Sequence, residues 1–237
     1  MSLLDTGNSN TKGRKSSKTK LRNKPVRYAL LTLRPDSILC PSSGLAECRA
    51  PCLDTSGLAR VFPSVNKARD AKTKWFHEDN AGFMAQLLRE MRNFQRLCVR
   101  QGVTPVFRLN TMSDVPWEKH IDIAGEFKES YFVDYTKLAH RLTRVPENYG
   151  LIFSYSGVPA YQGQVQAALK TDRPIAVVFR NGFPKRFLGR ICIDGDRSDL
   201  INVQTRNSII CLSDKGDAKH DTSGFVVDNP DLLLAVA

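Results

Sequence analysis

With 237 residues, 41% of them hydrophobic and 25% charged, the chain can bury a sizeable core, and one α/β domain of this length is ordinary. It has no run of 18 apolar residues, which argues against a membrane-spanning helix, and no apolar segment follows the first basic residues, which argues against a secretory signal. The net charge of +11 is uneven: residues 1–27 hold eight basic side chains against Asp5 alone, so the remainder is only mildly basic.

Residues 1–26, rich in Ser, Thr, Asn and Gly, bury too little apolar surface to fold and are expected to form a disordered basic tail. Lys12, Arg14, Lys15, Lys18, Lys20, Arg22 and Lys24 could serve as a sequence-independent arm for the phosphates of DNA or RNA. A purely solubilising tail explains them equally well.

From residue 27 onward one α/β domain is expected. A first strand over about 27–33 runs into the loop Cys40-Pro41-Ser42-Ser43-Gly44-Leu45-Ala46-Glu47-Cys48-Arg49-Ala50-Pro51-Cys52. A helix follows, with Ser64 as its cap. The clearest helix starts at Asn80, with Phe83, Leu87, Leu88, Met91, Phe94 and Leu97 at helical spacing, and stops at Gly102. Strands are then expected at Thr104–Leu109, Ser130–Asp134, Tyr149–Tyr155 and Pro174–Phe179. Helical stretches at Trp117–Phe127, Thr136–Leu142 and Ala160–Leu169 separate them. Short, nearly all-apolar strands alternating with helices imply a parallel sheet buried on both faces. The expected fold is a complete or partial (β/α) TIM-like barrel; an open doubly wound sheet is the alternative. From about residue 186, short strands at Arg186–Ile193, Leu200–Val203 and Ser208–Leu212 suggest an antiparallel C-terminal part.

In a barrel, functional groups lie where strands end. Three thiols sit in 13 residues after the first strand, and Arg108, Asn110, Asp114, Asp134, Tyr135, Ser154 and Ser156 follow later strands; together they are expected to line one pocket. Cys40, Cys48 and Cys52 admit four readings: ligands of an iron–sulfur cluster with one open iron, a zinc site completed by His77 or another cysteine, a redox pair, or unliganded loop residues. In a reducing cytoplasm, ligands or reactive thiols are favoured over disulfides. Cys98, Cys192 and Cys211 lie in apolar runs and read as core. Asp194, Asp196 and Asp199 could hold a hard cation, but a tight turn between two strands is the simpler reading.

The order of these motifs resembles the gene product 88 family of phage proteins and its sister families of unknown function. The matching segments are Cys40-Pro41, Cys48 to Cys52, Phe62-Pro63-Ser64-Val65-Asn66, Arg108 to Asp114, Phe132 to Lys137, Asn148 to Ser156, Asp194 to Asp199, Lys215-Gly216 and Ser223-Gly224-Phe225. They span roughly residues 27–227. The cysteine loop is also similar in placement to that of radical S-adenosylmethionine enzymes, barrels whose three-cysteine loop holds an iron–sulfur cluster that binds S-adenosylmethionine. Two departures stand out: the spacing here is C-x7-C-x3-C, not C-x3-C-x2-C, and Leu53 replaces the usual aromatic. The resemblance implies a phage protein, expected in the cytoplasm of an infected host cell, with a cluster at the barrel mouth; a nucleotide or nucleic acid substrate would suit the basic tail. The alternative function is a nucleic-acid-binding accessory protein with structural or zinc-bound cysteines.

Overall fold

The computed structural model describes residues 1–6, 19–21 and 23–233. The strands in chain order are β1 (Leu4–Asp5), β2 (Lys20–Leu21), β3 (Lys24–Leu31), β4 (Thr104–Arg108), β5 (Tyr131–Thr136), β6 (Tyr149–Ser154), β7 (Ile175–Arg180), β8 (Arg186–Phe187), β9 (Arg190–Asp194), β10 (Ser208–Ser213) and β11 (Val226–Asp228). The α-helices are α1 (Leu58–Val61), α2 (Pro63–Glu78), α3 (Asn80–Arg100), α4 (Gln162–Leu169), α5 (Asp199–Gln204) and α6 (Pro230–Leu233).

Among the described residues these strands form one eleven-stranded, mostly parallel sheet, open between β1 at one edge and β8 at the other. The α/β expectation holds; a closed barrel does not form. Strands β3 to β7 lie side by side in chain order, all parallel. Strand β10 continues parallel to β7, followed by β9. Closure would need the free edge of β3, and the antiparallel strand β1 occupies it at Leu30 and Leu31. The sheet is open, as in the alternative, but its order runs one way from β3 to β7 and does not reverse at a central point.

Side chains alternate between faces along a strand, and the two faces are covered differently. One face carries Phe107, Phe132, Leu151, Phe153, Val177 and Cys211 in the larger core. Helix α3 packs there through Phe83, Leu87, Met91, Phe94 and Cys98, which makes good the expected helical stripe. Asp79, not Asn80, caps it, accepting a hydrogen bond from Gly82 N at 2.9 Å. Likewise Ser64 is no cap: Pro63 opens α2 directly after Phe62. The opposite face carries Val106, Val133, Ile152, Ala176 and Ile210 under Leu200 and Val203 of α5. Helix α5 comes so close to β6 that a Cβ at Gly150 would lie 2.3 Å from Val203 Cγ2.

Several expected elements change type. Trp117–Phe127 is a single 3-10 turn, Trp117–Lys119, followed by turns. There Asp122 Oδ1 accepts from Gly125 N at 2.9 Å, a local bond that competes with helix continuation. Thr136–Leu142 becomes a 3-10 segment at Ala139–Thr143, and Leu200–Val203 lies in helix α5, not a strand. The expected antiparallel C-terminal part is confined to β8–β9; β10 and β11 both run parallel to β7.

The described part of residues 1–26 belongs to the sheet: Leu3 and Leu4 are buried, and Glu90 accepts from Leu4 N at 2.8 Å. Lys20 and Lys24 lie exposed on β2 and β3. Lys12, Arg14, Lys15, Lys18 and Arg22 are outside the described residues. Cys98 and Cys211 are buried as expected, whereas Cys192 is half-buried. Among the described residues no helix is long and apolar enough to cross a membrane.

Candidate functional site

The faces of the sheet decide which strand-end residues can meet. Arg108, Tyr135, Ser154, Val178 and Leu212 fall in register with Val106, Val133, Ile152, Ala176 and Ile210, so they share the α5 face. They line a cavity of about 200 Å³ at the carboxyl ends of the parallel strands, together with Cys40, Cys48 and Cys52. Asn110 and Asp114 also reach it. Eight of the residue positions expected to form the pocket or bind metal therefore converge: three thiols, Arg108, Asn110, Asp114, Tyr135 and Ser154.

Asp134 and Ser156 do not line this cavity. Asp134 follows Val133 and so points to the opposite face. There its carboxylate accepts from Asn110 N at 2.8 Å and from Tyr149 Oη at 2.9 Å. Burial pushes its carboxyl up to about 7 against those two hydrogen bonds. Ser156 is buried and donates to the Ala46 carbonyl at 2.8 Å, so it pins the cysteine loop.

That loop is fastened from several sides. Asp36 Oδ1 accepts from Ile38 N and Leu39 N, and its other oxygen lies 2.6 Å from His77 Nε2. His77 thus pairs with Asp36 through Nε2. The Leu39 carbonyl accepts from Asp114 N at 2.8 Å, which ties the loop to the end of β4. Cys40 Sγ donates to the Met112 carbonyl at 3.3 Å and Cys48 Sγ to the Ser43 carbonyl at 3.9 Å. Burial pushes the Cys40 thiol up to about 12 and also raises Cys52. Among the described residues no group of three or more His, Cys, Asp or Glu side chains stands ready to hold a metal ion.

The floor of the cavity is polar. Asp199, brought in by α5, makes an ion pair with Arg108 Nη1 and accepts from Tyr135 Oη at 2.7 Å. The Arg108 guanidinium sits 5.2 Å from the Tyr135 ring centroid. Asp114 bonds Arg141 Nη1 at 2.6 Å and Lys137 N at 2.7 Å; burial raises it to about 6 although Arg141 opposes this. Asp196 receives Ser213 Oγ at 2.7 Å and pairs with Lys215. The three carboxylates expected as a cation cluster or turn, Asp194, Asp196 and Asp199, have gone to different partners.

Lys137, named in the sequence as the end of the segment Phe132 to Lys137 but not among the expected pocket residues, also lines the cavity. It is buried, and its Nζ donates to the Ser154 and Tyr155 carbonyls at 3.1 and 2.9 Å. The Phe225 ring centroid is 4.6 Å away. Burial lowers the ammonium to about 8, while the nearby thiols and Asp114 act in the opposite direction. Its position two residues beyond Tyr135 was the available signal.

The fold and cavity define an open α/β protein with a thiol-lined cavity at the carboxyl ends of its parallel strands. Its family follows from the comparison with known families. The model of the family described as Gene product 88 matches residues 2–229, so the chain belongs to that family. No curated protein matches it, and no solved structure does.

Proposed function

We propose that this protein is an iron–sulfur protein whose cluster is held by Cys40, Cys48 and Cys52, with Arg108, Asn110, Asp114, Tyr135 and Ser154 on the substrate side. The observation that supports this reading is convergence: three thiols from one short loop line the same cavity as polar ends of β4, β5 and β6.

The donor set fits the group in kind, since iron–sulfur clusters are held by cysteine thiolates. The thiols are not gathered as a metal-holding group, and loading requires Cys40 Sγ and Cys48 Sγ to leave their carbonyl partners. It also displaces protons, because the ligand is the thiolate and burial favours the thiol. Such a cluster, held by three thiolates, would supply radical or Lewis-acid chemistry. The chain's residues do the rest. The Lys137 ammonium offsets thiolate charge, the Arg108–Asp199–Tyr135 set fixes the floor, and the loop fastened by Asp36, Ser156 and Asp114 covers the site. S-adenosylmethionine is the first co-substrate to try.

The test is anaerobic purification of the full chain, with its visible spectrum and iron, acid-labile sulfide and zinc assays on one sample. A brown protein with matched iron and sulfide, both lost in Cys48→Ser, is expected. A protein that binds zinc alone, or a Cys48→Ser variant with full iron content, refutes the proposal.

A further inference from the structure

The cavity has more buried positive charge than its own carboxylates can answer. Lys137 is buried, yet its ammonium hydrogen-bonds to two backbone carbonyls, and no carboxylate among the described residues lies within ion-pairing distance. Of the acidic wall residues, Asp114 is already taken by Arg141 Nη1 and by Lys137 N. Asp196 is held by Lys215 and Ser213. Arg108 is also buried and makes one ion pair, with Asp199 through Nη1; its Nε has no acceptor among the described residues.

An unpaired buried charge is costly, and so is an unsatisfied buried donor. The Lys137 ammonium, with no carboxylate among the described residues in ion-pairing reach, and the Arg108 guanidinium, with the single partner Asp199, line the same cavity and point to an anion supplied from outside. The rest of the wall limits what that anion is attached to. Val178, Leu212 and Phe225 form an apolar side, suited to a small organic body and not to a long charged polymer. The side of a guanidinium and an ammonium are both good partners for an oxyanion.

We infer that the cavity receives a small organic oxyanion, its acid group seated between Lys137 and Arg108 and its apolar part against Val178, Leu212 and Phe225. The inference deepens the proposed function by naming a substrate class for the same cavity, but it does not depend on the cluster. Lys137 and Arg108 remain when the thiols are replaced.

The experiment is calorimetric titration of the full chain carrying Cys40→Ser, Cys48→Ser and Cys52→Ser, so that no cluster contributes. The probes are benzoate, its neutral counterpart benzamide, and inorganic phosphate. Benzoate binding at least tenfold tighter than benzamide is expected and assigns the acid group as a carboxylate. Phosphate binding without benzoate binding assigns it as a phosphoryl group and equally supports an oxyanion site. Equal binding of benzoate and benzamide, or no binding of benzoate and phosphate, overturns the inference. Arg108→Gln combined with Asp199→Asn avoids stranding the buried carboxylate, and its fold is checked by circular dichroism. It should weaken the anion by tenfold or more; unchanged affinity in the folded double variant also overturns the assignment. Failure to find iron in the wild-type chain leaves these outcomes untouched, so the two proposals fail separately.

Discussion

Asp134→Asn is the substitution that most directly tests how burial sets the electrostatics of this protein. Asp134 is 0% exposed, and both of its oxygens accept hydrogen bonds, from Asn110 N and Tyr149 Oη. Burial nevertheless dominates, raising the carboxyl from 3.8 to about 7. The sign follows from proton counting. Between about pH 4 and pH 7 the folded chain keeps this proton and the unfolded chain has lost it, so stability falls as pH rises through that window. One proton corresponds to a slope of up to about 1.4 kcal/mol per pH unit. Asparagine has the same shape and no proton to lose, and it can still accept from Asn110 N. Asp114, raised to about 6, adds its own slope in both proteins and cancels in the difference. Urea unfolding of wild type and Asp134→Asn from pH 4 to pH 8 should therefore give curves that diverge in favour of the variant as pH rises. Parallel curves across the window would refute the reasoning.

Two further substitutions probe the site's supports. Arg141→Met removes the partner of Asp114 and Glu118, bonded at 2.6 and 2.8 Å. It should cost about 3–5 kcal/mol because a buried carboxylate is left unpaired; denaturant unfolding measures this, and recovery of part of the loss by adding Asp114→Asn separates charge from packing. Gly150→Ala places a methyl 2.3 Å from Val203 Cγ2 and 2.8 Å from Tyr131 Oη. An expected loss of about 1–3 kcal/mol should appear as a lowered thermal midpoint, and an unchanged midpoint would mean that α5 moves aside freely.

The α3 stripe was legible because helical periodicity is local: Phe83, Leu87, Met91 and Phe94 are buried as their spacing requires. The strands of the parallel sheet were legible for the same reason, as short apolar runs between turns. The cysteine loop announced itself by density alone. Period two could also have separated Asp134 from Tyr135, since neighbours on a strand face opposite sides, but only once the strand was known to extend through Thr136.

What tertiary structure decided was pairing between distant segments. Nothing near Leu4 says that it will occupy the edge of β3 and keep the sheet from closing. Nothing near Leu200 says that an apolar run with strand character will become α5. That choice is made by the fit of Val203 over Gly150 and by the demand of buried Arg108 for the Asp199 carboxylate. Lys137 gained its meaning in the same way. A lysine after a strand is ordinary in sequence, and it becomes informative when folding takes water away from it and leaves no carboxylate among the described residues within ion-pairing distance of its ammonium. Local pattern determined the elements and marked the thiols; long-range burial determined which faces they share, and with that the charge of the site.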